Sequence, residues 1–138
     1  KPYFKDHADL HFNLSHSGNF AVCIVAGMPC GIDIEGNRPF KSSVAKSFFS
    51  KTEYHWIYDT ENVSVQAERF FRLWTLKEAY AKATGNGIAA EIHAASYVPD
   101  TDSDGLCLAD SETGKHFQIK EAEYDGLRIA AVLSDSAF

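Results

Sequence analysis

The sequence has no long hydrophobic run, few cysteines and no surplus of positive charge. Its 138 residues are 45% hydrophobic and 23% charged, which are globular values for one domain. No apolar run approaches the roughly 20 residues of a membrane span, so no membrane-spanning protein is expected. The formal net charge of −6 argues against nucleic acid as the main partner, because phosphate-backbone binding needs a basic surface.

The cysteines Cys23, Cys30 and Cys107 form no metal-binding or redox spacing. Their odd number, without a CxxC or Cys/His pattern, predicts neither a disulfide framework nor a zinc site, and a cytoplasmic setting is expected. The sequence starts at Lys1 and shows no charged leader before an apolar stretch. No secretory signal is therefore expected within these residues.

The hydrophobic pattern predicts an α+β fold with helices in the middle and antiparallel strands around them. The first three strands are predicted at His11–Leu14, Phe20–Ala26 and Gly31–Glu35, with a turn at Ser17–Asn19. Helices are predicted at Ser43–Phe49, from Ser50 to about Tyr58, and at Val65–Thr84.

Local signals place the ends of two of these helices. Ser50 and Glu53 have capping-box spacing, and the longest helix has Ser64 as its expected N-cap and Gly85 as its C′ residue. A β meander packed on the long helix is predicted to follow. Its strands are Ile92–Val98, Leu106–Ala109, His116–Tyr124 and Leu127–Leu133.

The stretch GIDIE has two carboxylates two residues apart between apolar neighbours. In a strand, Ile32 and Ile34 would turn to the core, and Asp33 and Glu35 would share the other face about 7 Å apart. Two full charges at that distance repel by roughly 2 kcal/mol at an effective dielectric near 20. Either solvent or a bound cation would offset this repulsion.

The other charged residues each have an ordinary structural interpretation when taken alone. Glu78 and Lys82 are an i,i+4 pair that stabilises a helix, with Lys77 beside them. Glu53 fits the capping box, and His16 fits a Ser-rich turn.

Taken together, the charged residues indicate a site for Mg²⁺ and phosphate. Asp33 and Glu35 from a strand and Glu78 from a helix would offer the carboxylate oxygens that Mg²⁺ accepts. Lys77 and Lys82 would neutralise phosphate. This combination suits phosphoryl transfer, in which catalysis is mostly positioning and charge stabilisation. The spacing alone does not name the substrate.

Four ordered motifs resemble those of the Sfp-type 4′-phosphopantetheinyl transferases. They read FNLSHSG, GIDIE, FFSKTEY and FFRLWTLKEAYAKATG, and the opening KPYF is similar to a short motif upstream of them in that family. The resemblance covers Lys1–Gly87, and the predicted meander agrees only in kind. It implies transfer of the phosphopantetheine arm of coenzyme A to a serine of an acyl or peptidyl carrier protein, with 3′,5′-ADP leaving.

The resemblance also implies roles for particular residues. Mg²⁺ that binds the coenzyme A diphosphate would be held by Asp33, Glu35 and Glu78. Glu53 would act as, or assist, the base that activates the carrier serine. Lys77 and Lys82 would neutralise the coenzyme A diphosphate, and Lys82 would also stabilise the leaving oxygen. Ser15 and His16 would contact the 3′-phosphate. Lys1 and Pro2 would lie by the adenosine end.

The chain is shorter than the members of that family, which have two similar halves with the active site between them. The expected division is the end of a first, incomplete half over residues 1–30 and a C-terminal catalytic domain over residues 31–138. Either the chain is a fragment or a second copy supplies the other wall. Two alternatives stay open: a non-catalytic module that binds carrier proteins, and an unrelated Mg²⁺-dependent phosphohydrolase.

One stretch without acidic residues is predicted to dock the carrier protein. It runs from Gly36 to Thr52 in a chain of net charge −6, and its basic residues are Arg38, Lys41, Lys46 and Lys51. Phe40, Phe48 and Phe49 would be apolar anchors beside them. In the alternative interpretation these phenylalanines fill the core.

Overall fold

The computed structural model describes residues 2–36, 38–86, 95–100, 105–111 and 117–134. The elements over these residues are β1 His11–Ser17, β2 Phe20–Ala26, β3 Cys30–Gly36, α1 Ser42–Phe48, α2 Lys51–Tyr58, α3 Val63–Thr84, β4 Ala95–Pro99, β5 Leu106–Ser111, β6 Phe117–Tyr124 and β7 Leu127–Ser134. This order confirms the predicted α+β class. None of the described helices has both the length and the apolar character that a membrane crossing requires.

All strand pairs over the described residues are antiparallel. β1 pairs with β2, β4 pairs with β5, and β7 lies between β3 and β6. The predicted meander is thus present as two hairpin pairs in separate sheets, and β7 also pairs with the distant strand β3. The predicted starts of its first and third strands, at residues 92–94 and at His116, lie outside the described residues.

The helix ends follow the predicted capping chemistry with one correction. Ser50 and Glu53 form the capping box of α2, and Gly85 ends α3 in the left-handed region at φ 79°. The prediction of Ser64 as N-cap of α3 is wrong. Asn62 caps the helix instead, because its side chain accepts hydrogen bonds from the backbone N–H groups of Ser64 and Val65.

The first strand is longer than predicted. β1 continues through Ser15, His16 and Ser17, which pair with Val22, Ala21 and Phe20 in turn. The assignment of His16 to a turn is therefore wrong. Serine and histidine resemble turn residues when read singly, but here the backbone ladder to an apolar β2 keeps them extended.

The main core lies between α3 and the three-stranded sheet, on the face of β3 that includes Gly31 and Asp33. The cross-strand partners of these two residues are Val132 and Ala130, and both partners belong to the core. Ile32 and Ile34 are also buried but lie on the opposite face. The expectation that the isoleucine face alone would meet the core is therefore wrong, because alternation does not tell which face a helix covers.

Candidate active site

Asp33 lies where β3 passes under α3, and only 5% of the residue is exposed. Its Oδ1 atom accepts a hydrogen bond from Ser15 Oγ at 3.0 Å and lies 3.1 Å from Lys82 Nζ. Its Oδ2 atom is buried and has no hydrogen-bond partner among the described residues. Burial raises the pKa of the Asp33 carboxyl, against the opposing effect of Lys82. One interpretation of GIDIE was that solvent offsets the charge of Asp33. Because Asp33 is buried, solvent does not have this role.

Lys82 connects α3 to strands β3 and β1 at this point. Besides Asp33, its Nζ atom donates to the carbonyl oxygen of Ile32 at 3.0 Å, and the carbonyl oxygen of Leu14 lies at 3.5 Å. The side chain of Lys82 is 29% exposed. Lys82 thus forms an ion pair with Asp33, and its charge also acts on Glu78, the i,i+4 partner that the sequence suggested.

The edge of β3 that faces away from β7 is held by side chains of β1. Asn13 Oδ1 accepts the N–H of Ile32 at 2.9 Å, and Ser15 Oγ accepts the N–H of Ile34 at 3.2 Å. Sequence reasoning missed Asn13, and its place in the FNLSHSG motif was the available signal. Ser15 is buried against β3, whereas His16 is exposed, so their side chains point to opposite faces of β1.

Glu78 and Glu35 complete the acidic part of the site. Glu78 is half-buried; burial raises the pKa of its carboxyl, and the charges of Asp33 and Glu35 raise it further. Glu35 pairs with Arg38 at 2.9 Å, and the two side chains are 20% and 55% exposed. The structure therefore brings Asp33, Glu78 and Lys82 together, with Glu35 near enough to repel the other two acids.

The carboxylate oxygens of Asp33, Glu35 and Glu78 are the kind of ligand that a divalent cation binds. In the part of the chain that the structure describes, no three His, Cys, Asp or Glu side chains converge closely enough to enclose a metal ion as placed. However, the buried Oδ2 of Asp33 lacks a hydrogen-bond partner among these residues. The mutual repulsion of the three acids would be relieved by a cation with carboxylate ligands.

Glu53 and Lys77 form a separate, buried ion pair. Glu53 Oε1 lies 3.0 Å from Lys77 Nζ and accepts the N–H of Ser50 at 2.9 Å, while Oε2 accepts the N–H of Tyr97 at 3.0 Å. Glu53 is fully buried, and Lys77 is 3% exposed. The structure thus places Lys77 against Glu53 and not at an exposed position beside Lys82. Burial lowers the pKa of Lys77, against the opposing charge of Glu53.

The N-terminal residues of the predicted coenzyme A site are only partly described. Lys1 lies outside the described residues, and Pro2 is exposed. The ring of Phe4 lies 4.6 Å from the ring of Phe12, which attaches this segment to β1. The segment therefore approaches the strand that includes Ser15 and His16.

Together, the fold and the site define an α+β domain whose acidic and basic side chains meet between a strand and the helix packed on it. The family model described as the 4′-phosphopantetheinyl transferase superfamily matches residues 29–132. The chain belongs to this superfamily. The match begins just before β3 and includes every acidic residue of the site.

Two curated relatives show how far the similarity extends. The chain is 42% identical over 89 residues to the 4′-phosphopantetheinyl transferase Sfp of Bacillus subtilis, a match that covers 64% of this chain and 39% of the relative. It is 35% identical over 114 residues to the 4′-phosphopantetheinyl transferase AcpT of Salmonella typhimurium, with 80% of this chain and 59% of the relative covered. The match to the Bacillus subtilis relative thus spans about two fifths of that protein's length.

The fold is also similar to that of a smaller enzyme. A holo-(acyl-carrier-protein) synthase from Bacillus anthracis, solved in complex with CoA (3′,5′-ADP), superposes with a TM-score of 0.62. The sequence identity is 19%, and the superposition covers 79% of this chain and 97% of that one. At this identity the likeness shows the fold alone.

Proposed function

We propose that the protein transfers the 4′-phosphopantetheine arm of coenzyme A to a serine of an acyl or peptidyl carrier protein and releases 3′,5′-ADP, in a reaction that depends on Mg²⁺. The meeting of Asp33, Glu78 and Lys82 inside the region that matches the superfamily is the main support. The structurally similar protein is a holo-(acyl-carrier-protein) synthase in complex with CoA, which agrees with this proposal.

The reaction joins the serine oxygen of the carrier to the phosphorus that bears the pantetheine arm. The bond from this phosphorus to the bridging oxygen of the diphosphate breaks, and 3′,5′-ADP leaves with that oxygen. Lys82 is suited to stabilise the leaving oxygen, because its positively charged side chain is partly exposed and lies beside Asp33. The serine proton passes to a base.

Asp33, Glu35 and Glu78 would hold Mg²⁺, which supplies charge stabilisation at the diphosphate when bound. Asp33 is oriented for this role by Ser15 and Lys82, which both contact Oδ1, whereas the buried Oδ2 has no hydrogen-bond partner among the described residues. Glu35 would have to leave Arg38, with which it now pairs. The released Arg38 would then be a second cation near the diphosphate.

We assign Glu53 a role in assisting the base that activates the carrier serine. Its carboxylate is fully buried and accepts three hydrogen bonds, so it does not meet solvent directly. Lys77 is its charged partner and adjoins Glu78 in sequence. Lys77 would reach the diphosphate only after separating from Glu53, so Lys82 is the better-placed of the two lysines.

The far end of coenzyme A is assigned to β1 and the N-terminal segment. His16 is exposed and suited to contact the 3′-phosphate, whereas the hydroxyl group of Ser15 is engaged by Asp33 and Ile34. A contact of Ser15 with the 3′-phosphate would therefore compete with its hold on Asp33. Lys1 and Pro2 remain proposed contacts at the adenosine end.

Asp33→Asn is expected to lower the kcat/KM of transfer by at least about 10²-fold, because it removes the charge at the centre of the site. The substitution keeps the shape and an acceptor oxygen for Ser15 and Lys82, so the fold should remain. Mass spectrometry of the carrier gives the rate, and circular dichroism gives the fold. Asp125→Asn, in an exposed turn at φ 51°, is the matched control. Normal transfer by Asp33→Asn would remove Asp33 from the site.

The carrier protein is proposed to dock on the stretch from Gly36 to Thr52. Lys41, Lys46 and Lys51 are exposed there, whereas Arg38 pairs with Glu35 and lies 5.0 Å from the ring centre of Phe71. A groove of about 270 Å³ adjoins them; its lining residues are Arg38, Pro39, Phe40, Lys41, Val44, Phe70, Phe71 and Trp74. Its charge and apolar walls suit an acidic partner with an apolar anchor.

The phenylalanines of this stretch contribute mainly to packing. Phe40 stacks on Phe70 with ring centres 4.1 Å apart, Phe48 meets Trp74 edge-on at 5.5 Å, and Phe49 is 5% exposed. Phe40 and Phe48 keep partial exposure, so only these two remain candidate anchors for a carrier.

Lys41→Glu and Lys46→Glu are each expected to raise the KM for an acidic carrier several-fold and to leave the KM for coenzyme A nearly unchanged. The effect should be largest at low salt, since exposed charges are screened beyond about 8 Å at physiological ionic strength. Lys120→Glu changes the net charge equally at an exposed position on β6 and is the control. Equal effects of all three reversals on the carrier KM would place the docking surface elsewhere.

We also propose the division into residues 1–30 and 31–138, with another segment or a second copy of the chain against the outer face of β1 and β2. Leu14 and Val25 are more than half exposed on this face, and they belong to a sheet separate from β3. Neither Cys23 nor Cys30 forms a disulfide bond among the described residues, and the use of coenzyme A favours a cytoplasmic location.

A further inference from the structure

Gly31 is the point of closest approach between β3 and α3. A Cβ atom built on Gly31 would lie 1.9 Å from the carbonyl oxygen of Ala79 and 2.6 Å from the backbone nitrogen of Ala83. Both contacts are with helix backbone, so no side-chain rotation relieves them. On the helix side the facing residues are also small, since Ala79 and Ala83 are 0% and 3% exposed alanines.

The contact lies directly beside the candidate site. Ala79 follows Glu78 in α3, and Ala83 follows Lys82. On the strand, Asp33 is two residues beyond Gly31 and points to the same face. The distance between the two backbones at Gly31 therefore determines how far Asp33 lies from the acid and the lysine of α3.

We propose that Gly31 is a positioning residue for phosphopantetheinyl transfer, because its lack of a side chain sets the strand-to-helix distance at which Asp33, Glu78 and Lys82 meet. The inference rests on the proposed function. A real Cβ atom stays at least 3.0 Å from such neighbours, so an alanine here requires a displacement of about 1 Å, which is enough to reduce a reaction rate about 10²-fold. The 3.1 Å contact between Asp33 and Lys82 would lengthen accordingly.

The test is Gly31→Ala in the full chain, with Gly27→Ala as the matched control. Gly27 has no atom within 4 Å of an added Cβ, so the control adds the same methyl group to the preceding turn without a clash. Two readouts are measured: the kcat/KM of transfer per folded molecule, and the affinity for Mg²⁺ by calorimetry with 3′,5′-ADP present.

Gly31→Ala should reduce kcat/KM about 10²-fold and weaken Mg²⁺ binding about tenfold or more, while Gly27→Ala stays within about twofold of the unchanged protein in both. Adding Asp33→Glu to Gly31→Ala should recover part of the loss, because the longer side chain spans the added distance. A merely structural role predicts instead that the two losses multiply.

Three results would overturn the inference: equal values for Gly31→Ala and Gly27→Ala, no recovery in the double variant, or a Gly31→Ala chain that does not fold at any temperature. The last would assign Gly31 to the fold alone. If the unchanged protein modifies no carrier, the proposed function fails, and the Mg²⁺ titration still decides the role of Gly31.

Discussion

Glu78→Gln is expected to slow transfer strongly and, at the same time, to stabilise the metal-free protein. The rate should fall at least about 10²-fold, because one of the three proposed carboxylate ligands loses its charge. The stability should rise, because Glu78 is repelled by Asp33 and Glu35 and its charge is partly desolvated. Thermal unfolding with and without Mg²⁺ measures this: Tm should rise by a few degrees without the metal, and the Mg²⁺-induced increase should be smaller than in the unchanged protein.

The pH dependence of the same variant has a defined sign. Since burial raises the pKa of Glu78 above 4.5, the folded protein binds this proton more tightly than the unfolded chain does. Metal-free stability should therefore fall as the pH rises from 4.5 through the raised value, and Glu78→Gln should reduce that fall. Glu61→Gln, at an exposed position between helices, is the control. A Glu78→Gln variant with lower metal-free stability and normal transfer would contradict the proposed site.

Glu53→Gln is expected to have the largest effect on stability, about 3 kcal/mol in the free energy of unfolding. Glutamine still satisfies the capping box, but it leaves the ammonium group of Lys77 buried without its charged partner. The ring centres of Phe49 and Tyr97 lie 5.8 and 5.9 Å from this group, and Lys77 is 3% exposed, so water does not readily replace the carboxylate. Urea unfolding gives the loss.

A double variant separates the structural part of Glu53 from its proposed assistance to the base. Glu53→Gln with Lys77→Met removes both buried charges, so most of the lost stability should return. If Glu53 assists the base, this folded double variant should still turn over slowly while its KM for coenzyme A changes little. Losses of stability that add without recovery would show that the two charges are not coupled. Normal turnover would leave Glu53 with only its capping and pairing roles.

The sequence predicted most elements of the fold because their signals are local. The capping box at Ser50 and Glu53, the glycine end of α3 and the apolar strand β2 each depend on neighbours a few residues away. The two corrections to element ends are also local. Asn62, and not Ser64, is the N-cap of α3. Backbone pairing with β2 extends β1 beyond its predicted end, through His16.

The geometry of the site was less accessible to sequence reasoning, because it depends on distant contacts. Alternation placed Asp33 and Glu35 on one face of β3 but did not show that α3 covers this face at Gly31. Spacing on α3 gave Lys77 and Lys82 similar roles. In the structure the two lysines have different partners: Lys77 forms an ion pair with Glu53 of α2, and Lys82 forms one with Asp33 of β3.

The most direct measurement is incubation of the full chain with coenzyme A, Mg²⁺ and an apo carrier protein, followed by mass spectrometry of the carrier. The proposed function predicts a mass increase of one 4′-phosphopantetheine arm on the carrier serine, which is lost when Mg²⁺ is chelated or the serine is replaced by alanine. No mass increase with a carrier that nonetheless binds would indicate a non-catalytic binding module. Release of phosphate from simple esters without any modified carrier would indicate a phosphohydrolase, and either result would contradict the proposal.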